Sequence, residues 1–110
     1  MNTDKIRELN DNLRQNIFNS GKDKVMLSQF VANLPIDEQL KILIKIKDFN
    51  NFNEGNDPYS QHDFGMIEHR ELNYFFKIDY YDNDLKYHSP NPADPTKTIR
   101  VLTVMHASEY

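Results

Sequence analysis

The sequence predicts an α+β domain: a small, mostly antiparallel sheet with two N-terminal helices and a C-terminal helix packed on it. Three observations carry that expectation. Apolar residues recur at spacings of three and four over Thr3–Ser20 and again over Ile36–Phe49. Strict alternation replaces that period over Leu72–Tyr80. A chain of 110 residues fits one domain, 1–110, and leaves no room for a second core.

The first helix reads from Ile6, Leu9, Leu13, Ile17 and Phe18, with Asn2 or Thr3 able to cap its start. Gly21 stands where the chain wants a left-handed residue to leave it. Lys24–Ser28 is short, apolar and β-branched, and reads as a strand. Leu34-Pro35 then opens the second helix, since a proline in the first turn removes an N–H that would have had no partner. Asp37 and Glu38 suit that helix N-terminus, and Ile36, Leu40, Leu43, Ile44 and Phe49 give it a wide apolar face.

Asn50–Asp63 is a turn-rich connection. A hairpin follows, with strands Phe64–Glu68 and Leu72–Tyr80 and a turn near His69-Arg70-Glu71. Leu72, Tyr74, Phe76, Ile78 and Tyr80 share one strand face; Asn73, Phe75, Lys77, Asp79 and Tyr81 share the other. Pro90, Pro92 and Pro95 stiffen the segment after it, because each fixes its own φ and restricts its predecessor. Asp94-Pro95 reads as the cap and first residue of the C-terminal helix, with Ile99, Leu102, Met105 and His106 at helical spacing. The β-branched Thr96, Thr98, Ile99, Val101, Thr103 and Val104 argue for a strand over the same residues.

Composition narrows the chemistry. With no cysteine, the chain carries no disulfide, no thiol nucleophile and no thiolate metal site. The first residues lack the apolar core of a secretory signal, and nowhere do ~18 apolar residues run together, so a cytoplasmic protein without a membrane span is expected. The net charge is −4, but it is uneven. Residues 1–50 hold 8 basic and 7 acidic groups, residues 51–95 hold 3 and 9, and residues 96–110 hold 2 and 1. The negative excess therefore shares the middle of the chain with most of the aromatic rings.

Several segments of that middle and of the C-terminal part fall in a familiar order. They are Asn56-Asp57-Pro58-Tyr59, His62-Asp63-Phe64-Gly65, Phe76-Lys77-Ile78-Asp79-Tyr80-Tyr81-Asp82, Ser89-Pro90-Asn91-Pro92-Ala93-Asp94-Pro95 and Arg100-Val101-Leu102-Thr103. Together they resemble a family of small bacterial proteins known as a domain of unknown function, family 3768. The resemblance implies a bacterial origin, often on mobile elements, and brings no activity and no catalytic residue. Glu68-His69-Arg70-Glu71 departs from the glycine turn frequent in that family, and His106 replaces an apolar residue.

Two constellations have chemical potential. His62 and Asp63 with Asp79, Asp82 and Asp84 would suit a hard divalent cation and phosphoester hydrolysis, if the hairpin gathered them. The same aspartates also serve as turn-formers at strand ends. Asp82-Asn83-Asp84 opens like a calcium loop, yet Tyr87 stands where its glycine belongs and Ala93 where its last ligand belongs. His69 and His88 read as solvent-facing turn residues, and His106 as a residue on a helix face.

The second constellation is a surface of tyrosines rimmed by carboxylates: Tyr59, Asp63, Asp79, Tyr81, Asp82, Asp84 and Tyr87. Such a surface suits a protein partner with a basic patch, rings giving contact area and charge steering the encounter. It does not suit direct binding of nucleic acid or membrane. The expected function is that of a non-enzymatic binding protein without cofactor or metal. Its specific form is a mobile-element accessory protein that inhibits a host nucleic-acid-handling defence complex, of anti-CRISPR or antirestriction type. A metal-dependent hydrolase built on His62, Asp63, Asp79 and Asp82 is the alternative from another class, and a homodimerising domain using a free sheet edge is a third.

Overall fold

A computed structural model of the chain describes residues 2–110. Its elements in chain order are α1 (Thr3–Gln15), β1 (Lys24–Leu27), α2 (Gln29–Ala32), α3 (Ile36–Lys47), β2 (Phe64–His69), β3 (Leu72–Tyr81) and β4 (Ile99–His106), closed by a 3-10 turn at Ala107–Glu109. The sheet runs β1-β4-β3-β2, antiparallel except where β1 lies parallel to β4. The fold is α+β, as the alternating periods predict.

The C-terminal segment is the correction. Residues 99–106 form strand β4 between β1 and β3 rather than the helix expected there. Asp94 does not cap a helix; its Oδ1 accepts the backbone N–H of Thr96 at 2.9 Å and the Thr96 hydroxyl at 2.6 Å, an Asx turn that leads into extended chain. The β-branched residues decide the outcome, because β4 pairs along both edges and strands favour such side chains.

All helices pack on one face of the sheet. Leu13 and Ile17 from the N-terminal segment, Val31 from α2, and Ile42, Leu43 and Ile46 from α3 meet Ile67, Tyr74, Phe76, Ile78, Leu102 and Val104 from the strands. The alternation predicted for β3 holds from Tyr74 onward, while Leu72 is exposed beside the turn. In α1 the inward stripe is Ile6, Asn10, Leu13 and Arg14; Leu9 lies half-buried at its margin and Phe18 is exposed. Two polar residues thus sit where the apolar pattern expected none. On the other sheet face, Phe64 and Phe75 pack against the ring of Tyr110 with centroids 5.5 and 5.2 Å away.

The β2–β3 hairpin turns through Arg70 and Glu71, whose φ angles of 50° and 69° are the positive values a type I′ turn demands. Neither residue is glycine, so the left-handed backbone is strained. Side chains clamp it: Arg70 pairs with Glu38 of α3, and Lys45 of α3 donates to the carbonyl of Glu68 at 2.9 Å. His69 is buried, contrary to the turn position expected of it. Its Nε2 faces Glu38 at 3.0 Å and its Nδ1 faces the Lys45 ammonium at 3.1 Å, so Nε2 carries the proton and Nδ1 accepts. Arg70 first and His69 second hold the Glu38 carboxyl down at about 2.

Gly65 matters for space rather than for φ. A Cβ built there would meet the ring of Phe76 and approach Phe49 to 2.9 Å. Two substitutions near β2 therefore have opposite expected signs in urea denaturation. Gly65→Ala overpacks the core and costs about 1–3 kcal/mol. Glu71→Gly relieves the left-handed strain and stabilises by about 1 kcal/mol.

Candidate functional site

The segment 57–63 is shaped by one carboxylate. Asp57 is buried, and its Oδ1 accepts the backbone N–H of Gln61 at 3.0 Å and of His62 at 3.1 Å. Ser60 and His62 carry φ of 56° and 57°, uncommon values for residues with a Cβ. The His62 ring stacks on Phe52, 3.8 Å between centroids and 5° from parallel. Its Nδ1 lies 2.9 Å from Asp11 Oδ1 and its Nε2 lies 3.6 Å from Asp57 Oδ2. Arg14 in turn holds Asp11 at 2.8 Å and places its guanidinium over the Phe52 ring. Both imidazole nitrogens face carboxylates, which leaves neither to activate a nucleophile. His62 fastens the loop to α1.

A second network lies beside the first. Arg100 is 2% exposed, and no carboxylate among the described residues lies within ion-pair distance of its guanidinium. Its Nε donates to Asn10 Oδ1 at 2.8 Å, a terminal nitrogen donates to the Pro92 carbonyl, and its Cζ stands 5.2 Å from the centre of the Tyr80 ring. The Asn10 amide donates to the Gln61 carbonyl at 2.9 Å and to the Tyr80 hydroxyl at 2.8 Å. Tyr80 reaches Asp63 Oδ2 at 3.4 Å, a long contact. Ser89 donates to the Tyr80 carbonyl and shares a 2.7 Å contact with the Thr98 hydroxyl. This network brings α1, the 57–63 loop, β3, the proline segment and β4 to one end of the molecule.

At that end a groove of about 360 Å³ is lined by Asp63, Ile78, Asp79, Tyr80, Tyr81 and His88. A second groove of about 410 Å³, lined by Ile6, Gln61, Tyr80, His88, Pro90, Asn91 and Pro92, shares Tyr80 and His88 with it. Of the residues predicted for a binding surface, Asp63, Asp79 and Tyr81 thus come together. Asp82 lies just beyond, its Oδ1 accepting the Lys86 N–H at 3.0 Å, and those backbone contacts hold its carboxyl below the ordinary aspartate range. Asp84 and Tyr87 are exposed on the turn that Asp82 organises, and Tyr59 is exposed on a separate loop. The sequence places Tyr80 both on the core face of its strand and among the rings of the aromatic-acidic middle, and His88 at a turn. The structure puts both in the groove walls, and His88 is indeed exposed.

Charge in the groove is one-sided. Burial, then the nearby Asp57 and Asp79 charges, push the Asp63 carboxyl above the usual aspartate value, against the lowering effect of its backbone hydrogen bond. Asp79 is joined by Lys77 at 2.8 Å across the strand's outer face. Burial pushes the Tyr80 hydroxyl up to about 12, with the Asn10 amide opposing it. His62 is turned to Asp11 and Asp57, and among the described residues no group of three or more His, Asp or Glu side chains is placed to hold a metal ion. The hydrolase expectation gains no geometry from this arrangement.

Two pH effects follow from the signs of these shifts. Tyr80 has a folded value above its ordinary 10.0, so its contribution is whole below pH 10 and is lost as pH rises towards about 12. A spectrophotometric titration is expected to show one tyrosine ionising late, together with unfolding. For Asp63 the raised value means that the ionised form is the disfavoured one in the fold. Asp63→Asn is therefore expected to be as stable as the parent or more so at pH 7, with the difference vanishing below the ordinary value of 3.8. Urea denaturation at pH 7 and pH 3 checks it.

The segments on which the sequence resemblance rests are those that meet here: Asp57 with His62, Asp63 with Tyr80, Tyr80 with Arg100, and Arg100 with Pro92. A family model described as a protein of unknown function, DUF3768, matches residues 27–109. That match excludes α1, which supplies Asn10, Asp11 and Arg14. Neither curated proteins nor solved structures give a match. Among the described residues no helix is long and apolar enough to cross a membrane. The chain belongs to the DUF3768 family.

Proposed function

We propose that the protein is a non-enzymatic binding protein that takes a basic segment of a protein partner into the groove between β3 and His88. One observation carries this reading: Asp63 and Asp79 share a groove walled by Tyr80, Tyr81 and His88, with no lysine or arginine in its lining. A lysine or arginine entering there exchanges water for the Asp63 carboxylate, shares Asp79 with Lys77, and lays its stem along aromatic rings, an arrangement worth ~0.5–2 kcal/mol per ring contact. The exposed Tyr87 and Asp84 lie on the next turn, where they extend the contact surface and steer the approach. Surfaces of this basic kind are common on subunits that handle nucleic acid. An accessory protein that blocks such a host defence complex, of anti-CRISPR or antirestriction type, is the form of this function that fits the sign of the charge.

Calorimetric titration with ten-residue peptides rich in arginine, rich in lysine or rich in glutamate tests the reading. The basic peptides are expected to bind with an affinity that falls as salt rises, and the acidic one to give no heat. Tyr81→Ala and Asp79→Asn are each expected to weaken binding about tenfold, and Asp84→Asn, outside the groove, by less than about twofold. Equal losses in all three variants would mean that overall charge, not the groove, attracts the peptide, and the proposal would fall. So would absence of binding.

A further inference from the structure

An apolar stripe is left uncovered on α3, none of whose residues lines the groove. Ile36, Leu40 and Ile44 are 69%, 43% and 48% exposed, although the same helix buries Ile42, Leu43 and Ile46 completely or nearly so. Spaced by four, the three form a single outward stripe of about 12 Å along the helix. A stripe of half-exposed aliphatic side chains on one helix is unlike the scattered apolar residues that any surface carries.

We propose that this stripe is the interface of a homodimer, in which α3 packs antiparallel against α3 of a second copy. The pattern is self-complementary in a way few other partners would need. A two-fold axis passing at Leu40 sets Leu40 against itself and Ile36 against Ile44 of the other copy, so one patch serves both sides. Asp37 and Lys41 are both exposed and follow one another along the same edge of the stripe. The axis keeps that edge on its own side and reverses its direction, so each Asp37 meets Lys41 of the other copy, twice per dimer. Lys41 keeps half its side chain in solvent beside Glu38, 3.4 Å away, and is free to turn. Antiparallel pairing also sets the opposite helix dipoles side by side. The clamps that hold α3 to the hairpin, Glu38 to Arg70 and Lys45 to the Glu68 carbonyl, lie on other faces and survive the docking.

Sedimentation equilibrium on the full chain, from micromolar to millimolar, decides it. A monomer–dimer equilibrium is expected. Leu40→Glu is expected to raise the dissociation constant at least about 100-fold with an unchanged circular-dichroism spectrum. Asp37→Lys and Lys41→Asp each place like charges across the axis and are expected to raise it about tenfold, and the double variant to return within about threefold of the parent. A monomer at every concentration overturns the proposal. A dimer indifferent to Leu40→Glu overturns it too, and assigns association to another surface such as the β2 edge. Loss of association in the double variant as in the singles contradicts the antiparallel pairing.

Discussion

Arg100 is a cation taken out of water with no carboxylate among the described residues within ion-pair distance of its guanidinium. Desolvating a guanidinium costs several kcal/mol, and only well-aimed hydrogen bonds offset that cost. Here the acceptors are the Asn10 amide oxygen and the Pro92 carbonyl, with the Tyr80 ring alongside. Its backbone N–H is met by Asp23 at 2.8 Å. Each partner comes from a different part of the chain, so the arginine is satisfied only when α1, β3, the segment before β1 and the proline segment are all in place. The prolines contribute by stiffness. With φ fixed at Pro90, Pro92 and Pro95, little entropy is lost in holding the Pro92 carbonyl at the guanidinium.

That buried node also gives the groove its rigidity. Asn10 donates simultaneously to the loop at Gln61 and to Tyr80, so the groove's central ring is held by a helix as well as by its own strand. Groups on a sheet braced from behind keep their positions better than groups on free loops. The same bookkeeping corrects the charge. Residues 51–95 carry a local excess of six negative charges, but Asp57, Asp82 and Asp94 use their carboxylates to fix backbone N–H groups in turns. Around the groove there remain Asp63, Asp79, which Lys77 already pairs, and the exposed Asp84, a smaller and better located charge than composition suggests.

The fold was legible wherever buried positions are apolar, and illegible where they are not. α3 and β3 announce themselves as elements through their periods, but the face α3 buries is Ile42, Leu43 and Ile46, while Ile36, Leu40 and Ile44 of the expected face are exposed. Over β4 the Asp94-Pro95 cap and the spacing of Ile99, Leu102, Met105 and His106 suggest a helix; the inward residues are Arg100, Leu102 and Val104, and the charged first member conceals the alternation. Asn10 and Arg14 conceal the true inward face of α1 in the same manner. His69 looked like a turn residue because nothing local shows that Glu38 and Lys45 come from 31 and 24 positions away to receive it. In each case the compensating partner is distant, up to 90 positions between Asn10 and Arg100. The candidate site suffers most, because its walls depend on those same contacts. Tyrosines and acids could be named from the sequence; which three residues share a groove could not. One signal was present, a polar Asn10 four residues after Ile6 and three before Leu13, on a stripe that should have been apolar.

The networks at 57–63 and the Glu38–Lys45 clamp on the hairpin end on the two loops that flank β2. Positive φ angles at Ser60 and His62 precede this strand, and those at Arg70 and Glu71 follow it. β2 is an edge strand, paired only with β3, and an edge held by one ladder is prone to open or to pair elsewhere. Its fastening is therefore done by side chains at each end: Asp11 of α1 and Asp57 on His62, and Glu38 and Lys45 of α3 on the hairpin. Because Glu38 is held down at about 2, its clamp is whole above the ordinary glutamate value of 4.5 and is lost only as pH falls towards about 2. The backbone strain in these loops is tolerated because ionic contacts over-determine them. The groove inherits that arrangement, since Asp63, the residue joining the strained loop to β2, is also its inner carboxylate.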